Sequence, residues 1–136
     1  MKKGLSLVAL LMGFLLLTGM GDIGGAPGST SPTPEKEFSA TFIDRQDITT
    51  QCTRVSRNGK VFIVGKKGRG TVAVPFERIK EVEFLNRNDM VTAIVSLTND
   101  KSVEIQMDKS QIFYGHTDFG SFHIELVDLK KIVFKH

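Results

Sequence analysis

Sliding the chain on itself by 50 positions aligns residues 60–84 with 110–134 without a gap, and this self-match constrains the fold more than any other feature. Gly65 falls on Gly115, Gly70 on Gly120, Lys80 on Lys130 and Phe84 on Phe134. Val72, Val74, Phe76, Ile79 and Val82 fall on Phe122, Ile124, Leu126, Leu129 and Ile132. Beyond those four identities, what recurs is a pattern of burial. Such a pattern identifies one supersecondary unit used twice, and it says little about chemistry.

Within and around the repeats the dominant period is two. Val103, Ile105 and Met107 alternate with Glu104 and Gln106, and Phe122, Ile124 and Leu126 alternate with His123 and Glu125. Successive side chains of a strand point to opposite faces, so these segments are half-buried strands. Turn signals fall between them at Asn58-Gly59, at 86–89 and at Asn99-Asp100, at the short spacing of hairpins. Residues 76–80 and 126–130 have the spacing of a single tight turn before the last strand of each repeat. Each copy then comprises a strand (61–64 or 111–114), a glycine-bounded loop, a second strand, the tight turn and a closing strand. Strands at 91–98 and 102–107 feed the second copy. Weaker equivalents at 41–55 feed the first, with Val55 aligned on Ile105. Pro75 lacks a backbone donor and belongs at an edge or bulge. The expected fold is all-β, a small barrel or two-sheet sandwich built from two pseudo-repeats that bury a common core.

The folded domain is expected over 38–136. Ahead of it, Lys2 and Lys3 precede an uncharged run from Gly4 to Met20, the layout of a secretory signal at 1–21. Its densest apolar part, Leu5 to Leu17, is shorter than the ~20 apolar residues a spanning helix needs, which favours a cleaved signal helix, with an uncleaved anchor as the alternative. Residues 22–37 hold three of the four prolines and almost no large apolar side chain, the composition of a disordered linker. The expected address is periplasmic or secreted. The formal charge of +3 includes the two signal lysines; without them 16 basic side chains face 15 acidic ones. A mature charge of +1 removes the compositional support for a nucleic-acid role. The single cysteine, Cys52, cannot close an internal disulfide, so it is either a buried thiol or a handle for an intermolecular bridge.

Phe119-Gly120-Ser121-Phe122-His123-Ile124-Glu125-Leu126, followed by Asp128-Leu129-Lys130-Lys131-Ile132, resembles a short element of bacterial exported proteins. There a Phe-Gly step leads into an Ile-Pro-Leu strand, an Asp-Ile-Lys turn and a closing strand. The first copy keeps Gly70, Val74, Pro75, Phe76, Ile79 and Lys80 but has Arg69 in place of the phenylalanine. The resemblance implies fold and export and carries no activity. The strand, tight turn and strand are also similar to the close of an SH3-like or Sm-like barrel.

Catalytic signatures do not emerge. Gly65-Lys66-Lys67-Gly68-Arg69-Gly70 lacks the Lys-Ser/Thr of a phosphate loop and precedes a strand instead of a helix. His116, Asp118 and His123 could bring two imidazoles and a carboxylate to one loop, but alternation sends His123 to solvent, and hydrated surface residues are the expected outcome. Glu81 and Glu83 beside Lys80, and Glu125 and Asp128 near Lys130 and Lys131, are expected to form polar outer faces with ion pairs of small energy. His136 is expected to be disordered as a chain end. The remaining candidate is the group Lys66, Lys67 and Arg69, crowded at a hairpin tip whose counterpart, residues 116–119, carries no fixed positive charge. No aromatic side chain is interleaved with it for stacking on bases. The expected function is therefore a non-enzymatic interaction module of the cell envelope with a protein partner, no cofactor and no metal. Binding of anionic lipid or polysaccharide through Lys66, Lys67 and Arg69 is one alternative, a metal-dependent enzyme at His116 and Asp118 another, and a purely architectural role, as a spacer or as a subunit whose exposed sheet edge pairs with another copy, the last.

Overall fold

The structure is a computed structural model that describes residues 36–136. The expected signal at 1–21 and all but the last two residues of the expected linker lie outside the described residues. Ten strands form one antiparallel sheet that curls into a half-barrel. They are β1 (Ser39–Asp44), β2 (Thr49–Arg57), β3 (Phe62–Lys67), β4 (Gly70–Pro75), β5 (Ile79–Arg87), β6 (Met90–Leu97), β7 (Ser102–Asp108), β8 (Ile112–Thr117), β9 (Gly120–Glu125) and β10 (Leu129–Lys135). Of the two architectures the sequence leaves open, this is nearer to the barrel, because hydrogen-bonded pairing runs unbroken from strand to strand across the sheet. The expected tight turns are single 3₁₀ turns at Phe76–Arg78 and Leu126–Asp128.

The spatial order is β4-β3-β7-β6-β5-β10-β1-β2-β8-β9. Exchanging β1 to β5 with β6 to β10 and reading from the other edge leaves this order unchanged, so the sheet has a pseudo-two-fold axis. The axis passes between β5 and β10, where Val82 lies opposite Ile132, its own repeat partner. The repeats are interlocked: the β3–β4 hairpin of the first pairs with β7 of the second, and the β8–β9 hairpin of the second pairs with β2 of the first. Each half of the sheet therefore needs both repeats.

This interlock explains the repeated glycines. A Cβ on Gly65 would lie 2.7 Å from the Gln106 carbonyl oxygen and 2.9 Å from Ile105 Cδ1, and one on Gly115 would lie 2.7 Å from Cys52 Cβ. Both glycines are crossing points where a hairpin passes over a strand of the other repeat. The expectation that Gly65 bounds a loop is thus corrected: β3 runs through it to Lys67.

The same contacts correct the alignment of Val55 with Ile105. Gly65 meets Ile105 and Gln106 where Gly115 meets Cys52 and Thr53, an offset of 53. The hairpin turns agree: Asp44 N donates to Ile48 O and Asp47 N to Asp44 O, as Leu97 N does to Lys101 O and Asp100 N to Leu97 O. The first repeat has three additional residues between Thr53 and Gly65, and one of them is taken up after Thr53, where Arg54 takes φ 52° and the β2–β8 register shifts. The repeated lysines hold these turns. Lys80 Nζ reaches Asp100 Oδ1 at 3.0 Å and Lys130 pairs with Asp47, the two aspartates having φ 68° and 65°. All four side chains are exposed, so each pair contributes at most about 1 kcal/mol.

The core lies along the concave face and draws on every strand except β9, whose Phe122 and Ile124 pack against it half-buried. Phe76 and Leu126 open the two 3₁₀ turns and are fully buried. Phe76 packs on Phe134 at 4.8 Å between ring centroids and edge-on to Phe38 at 5.7 Å, so the 3₁₀ turn of one repeat is filled by the last strand of the other. His136 is ordered and not frayed: its Nε2 lies 2.7 Å from Ile79 O and its ring stacks on Phe134. Cys52 is buried, as one of its two expected states requires, and burial pushes its thiol up to about 11. Folded thiol then holds its proton where unfolded thiol releases it. Stability should therefore be flat with respect to this group below about pH 8.5 and fall by about 2–3 kcal/mol between pH 9 and 11. Urea denaturation of the natural chain against Cys52→Ala should isolate that loss from other alkaline titrations.

Candidate functional site

The ends of the sheet are two hairpins that the pseudo-symmetry makes equivalent. In β3–β4, Lys67 pairs with Gly70 across a two-residue loop, Gly68-Arg69. Gly68 is at φ 62° and Arg69 is not at positive φ, the pattern of a type II′ turn that matches strand twist. In β8–β9, Thr117 pairs with Gly120 and the positive φ, 137°, falls on Gly120 after the loop. Thr117 Oγ1 accepts from Phe119 N at 3.2 Å and donates to Gly120 O at 2.9 Å, which fixes that tip.

Lys66, Lys67 and Arg69 are all exposed, but they do not share one loop as expected. Lys66 and Lys67 belong to β3, and only Arg69 is in the turn. Lys66 Nζ donates to Thr71 Oγ1 at 3.1 Å and lines a cleft of about 340 Å³ with Arg57, Gln106 and Asp108. Among the described residues, neither Lys67 nor Arg69 enters an ion pair.

Arg57 is a functional candidate that sequence reasoning missed. It stands where the two repeats cross, with Nε donating to Phe62 O at 2.9 Å, Nη1 to Gln111 Oε1 at 3.3 Å and its guanidinium 5.4 Å from the Phe62 ring centroid. Partial burial lowers its pKa. Asp108 across the cleft is held below the usual carboxylate range by the backbone N–H and hydroxyl of Ser110, its oxygen accepting both at 2.9 Å. No local motif marks Arg57, because its partners are 5 and 54 residues away.

The second hairpin carries the other missed residue. Phe119 is 84% exposed, the most exposed of the large apolar side chains described. Its exposure follows from its place in the two-residue turn ahead of β9, outside the alternation that turns Phe122 and Ile124 to the core. His116 and Asp118 line one small cleft of about 230 Å³ with Cys52 and Lys135. His123 is exposed on β9 beside Tyr114, on the solvent face that alternation assigns it, and lines a different cleft from His116 and Asp118.

That larger cleft, about 480 Å³, runs along β9 and is walled by Asp44, Arg45, Gln46 and Asp128. Its polar groups are committed to structure: Asp44 Oδ1 accepts from Gln46 N and Ile48 N, and Arg45 donates to Phe84 O. Lys131 pairs with Glu81 at 3.5 Å across β10 and β5, as a polar outer face requires. Asp128 and Glu125 flank the β9 cleft.

A family described as an uncharacterised protein matches residues 34–136, which span both repeats and all ten strands. The chain belongs to that family. No curated protein and no solved structure matches the chain. The family region begins just before β1, so the interlocked sheet is the unit the family defines.

Proposed function

We propose that the chain is an exported, non-enzymatic interaction module of the cell envelope, held on a linker, that engages a protein partner through the hairpins at the ends of its sheet. One observation carries this reading. Arg69 and Phe119 occupy the same place in the pseudo-symmetric scaffold, the second residue of a tip turn, yet one presents a guanidinium and the other a phenyl ring to solvent. The fold accounts for the residues the repeats share and makes no demand on these two. Leaving Phe119 in water forgoes about 1.5–3 kcal/mol of burial, which a partner would recover.

The test is crosslinking in intact cells followed by affinity capture of the natural chain, Phe119→Ser and the triple variant Lys66→Ser, Lys67→Ser, Arg69→Ser. A specific protein captured with the natural chain and lost with either hairpin variant is the expected result. Capture of no protein by the natural chain contradicts the reading.

Among the described residues neither Lys67 nor Arg69 enters an ion pair, which favours a second reading, binding of anionic lipid or polysaccharide at the basic hairpin. It predicts salt-sensitive binding to vesicles containing anionic lipid that disappears in the triple variant. Binding that is unchanged in that variant sinks it.

A further inference from the structure

We infer that the cleft between β3 and β7 takes a free aliphatic α-amino acid, its carboxylate held by Arg57 and Lys66 and its ammonium by Asp108. This goes beyond the interaction-module reading, which rests on the hairpin tips.

The site arises at a seam that is closed in one half of the sheet and open in the other. Phe76 N donates to Val61 O and Leu97 N to Lys101 O, which makes Phe62↔Pro75 and Ser96↔Ser102 non-hydrogen-bonded pairs of their hairpins. Backbone groups of residues in such pairs point away from the hairpin partner. By the same alternation, the backbone groups of Val64 and Lys66 point from β3 toward β7, and those of Gln106 and Asp108 point from β7 toward β3. Lys66 pairs with Gln106, and the register ends there: Val64 and Asp108, next in line, are not paired. In the pseudo-symmetric seam Thr53↔His116 is followed, past the bulge, by Ser56↔Tyr114 and Arg57↔Phe113. Tyr114 is the repeat counterpart of Val64, so the same strand position is covered in one half and uncovered in the other.

Side chains span the far end of the open seam. Arg57 Nε donates to Phe62 O, Arg57 Nη1 to Gln111 Oε1, and Gln111 Nε2 to Asp108 O at 3.1 Å, a continuous link from β3 to β7. The cleft of about 340 Å³ is lined by this link and by Lys66 and Gln106. It lies at the small end of the range for ligand pockets, roughly 300–1,000 Å³. Bounded at both ends, it suits a small molecule better than a polymer running through it.

The charges in the cleft specify the class. Arg57, Lys66 and Asp108 all line it, and among the described residues none of the three enters an ion pair. Each is nevertheless steered. The two bonds of Arg57 fix its guanidinium and leave Nη2 without a partner, and Lys66 Nζ is drawn to Thr71 Oγ1. Asp108 Oδ1 accepts from Ser110 N and Oγ, which leaves Oδ2 for a ligand. A purely anionic ligand would meet the Asp108 carboxylate, and a purely cationic one would meet Arg57 and Lys66. A molecule carrying a carboxylate and an ammonium on one carbon satisfies both signs at once. Val64 and Met90, also in the lining, supply the apolar surface for an aliphatic side chain.

The experiment titrates the isotopically labelled full chain with leucine, with N-acetylleucine, which keeps only the carboxylate, and with leucinamide, which keeps only the ammonium. The backbone amide signals of Val64, Gln106 and Asp108 are followed by NMR. Saturable shifts with leucine are expected, and binding at least about tenfold weaker for each analogue, because each lacks one charge-assisted contact. Asp108→Asn retains an oxygen for Ser110 and should abolish the preference for leucine over N-acetylleucine. Lys66→Gln should weaken leucine and N-acetylleucine alike. Both residues are exposed, so neither change threatens the fold. No saturable shift with leucine, equal binding of leucine and N-acetylleucine by the natural chain, or a preference that survives Asp108→Asn overturns the inference. The readout involves no protein partner, so its failure is separable from failure of the capture experiment.

Discussion

Phe76→Ala is expected to cost about 3–5 kcal/mol, the largest loss from any single truncation in this domain. Phe76 is fully buried and opens the first 3₁₀ turn. Its ring contacts Phe38 just before the first strand and Phe134 in the last strand, so truncation leaves a cavity where both ends of the folded region meet the first repeat. The neighbours cannot easily collapse into it: the backbone at residue 76 is tied to Val61 O, and Phe134 is sandwiched against His136. The loss should appear as a lower urea midpoint with an unchanged slope, because the surface exposed on unfolding is the same. Leu126→Ala removes a smaller side chain at the equivalent position and should cost about 2–5 kcal/mol, below Phe76→Ala in the same assay.

Gly65→Ala and Gly115→Ala are expected to destabilise the domain by about 1–3 kcal/mol each, far more than a methyl group costs on an ordinary strand. The two differ in what must yield. At Gly65 the new Cβ meets a backbone carbonyl, that of Gln106, as well as Ile105, so β3 and β7 must separate. At Gly115 it meets the Cβ and Sγ of Cys52 at 2.7 and 3.0 Å. Gly65→Ala should therefore be the costlier. Cys52→Ala should give little rescue of Gly115→Ala, since the closest atom is Cβ, which alanine retains. Gly68→Ala is the control: a Cβ there would meet nothing within 4 Å, and its cost comes only from φ 62°, about 1 kcal/mol. Thermal or urea denaturation of the set checks the order.

How much of this is legible in the sequence follows from the range of the interactions. The 50-residue self-match and the period of two are carried by each segment's own side chains, and they locate β3 to β5 and β8 to β10 with both 3₁₀ turns. The 53-residue offset is hidden because the additional residues lie between Thr53 and Gly65, one of them in a bulge at Arg54 whose only mark is backbone conformation. The interlock is hidden for a different reason: an alternating strand specifies which face is buried and leaves its neighbour open, so β3 could pair β2 or β7 equally well by pattern. Gly65 and Gly115 are visible as repeated glycines, but the reason for them is a crossing partner about 40 to 60 residues away along the chain. At the candidate site, Lys66, Lys67 and Arg69 are visible because charge clusters in sequence, whereas Arg57 acquires meaning only from Gln111 across the repeat boundary. Phe119 reads as part of a motif, and its exposure comes from the turn position that the hairpin gives it.

The interlock of the two repeats is the claim on which the glycine contacts, the sheet order and the placement of opposite hairpins at opposite edges all depend. Its most direct test is intramolecular disulfide capture in a Cys52→Ala background, comparing Lys66→Cys with Gln106→Cys against Lys66→Cys with Thr53→Cys. Lys66 lies directly opposite Gln106 of the second repeat, and Thr53 is the position it would oppose if each repeat closed on itself, as His116 opposing Thr53 indicates by symmetry. The interlocked sheet predicts a monomeric crosslink, seen by mass after digestion, for the Gln106 pair alone. A crosslink for the Thr53 pair and none for Gln106 would mean that each repeat folds on itself and would contradict the account.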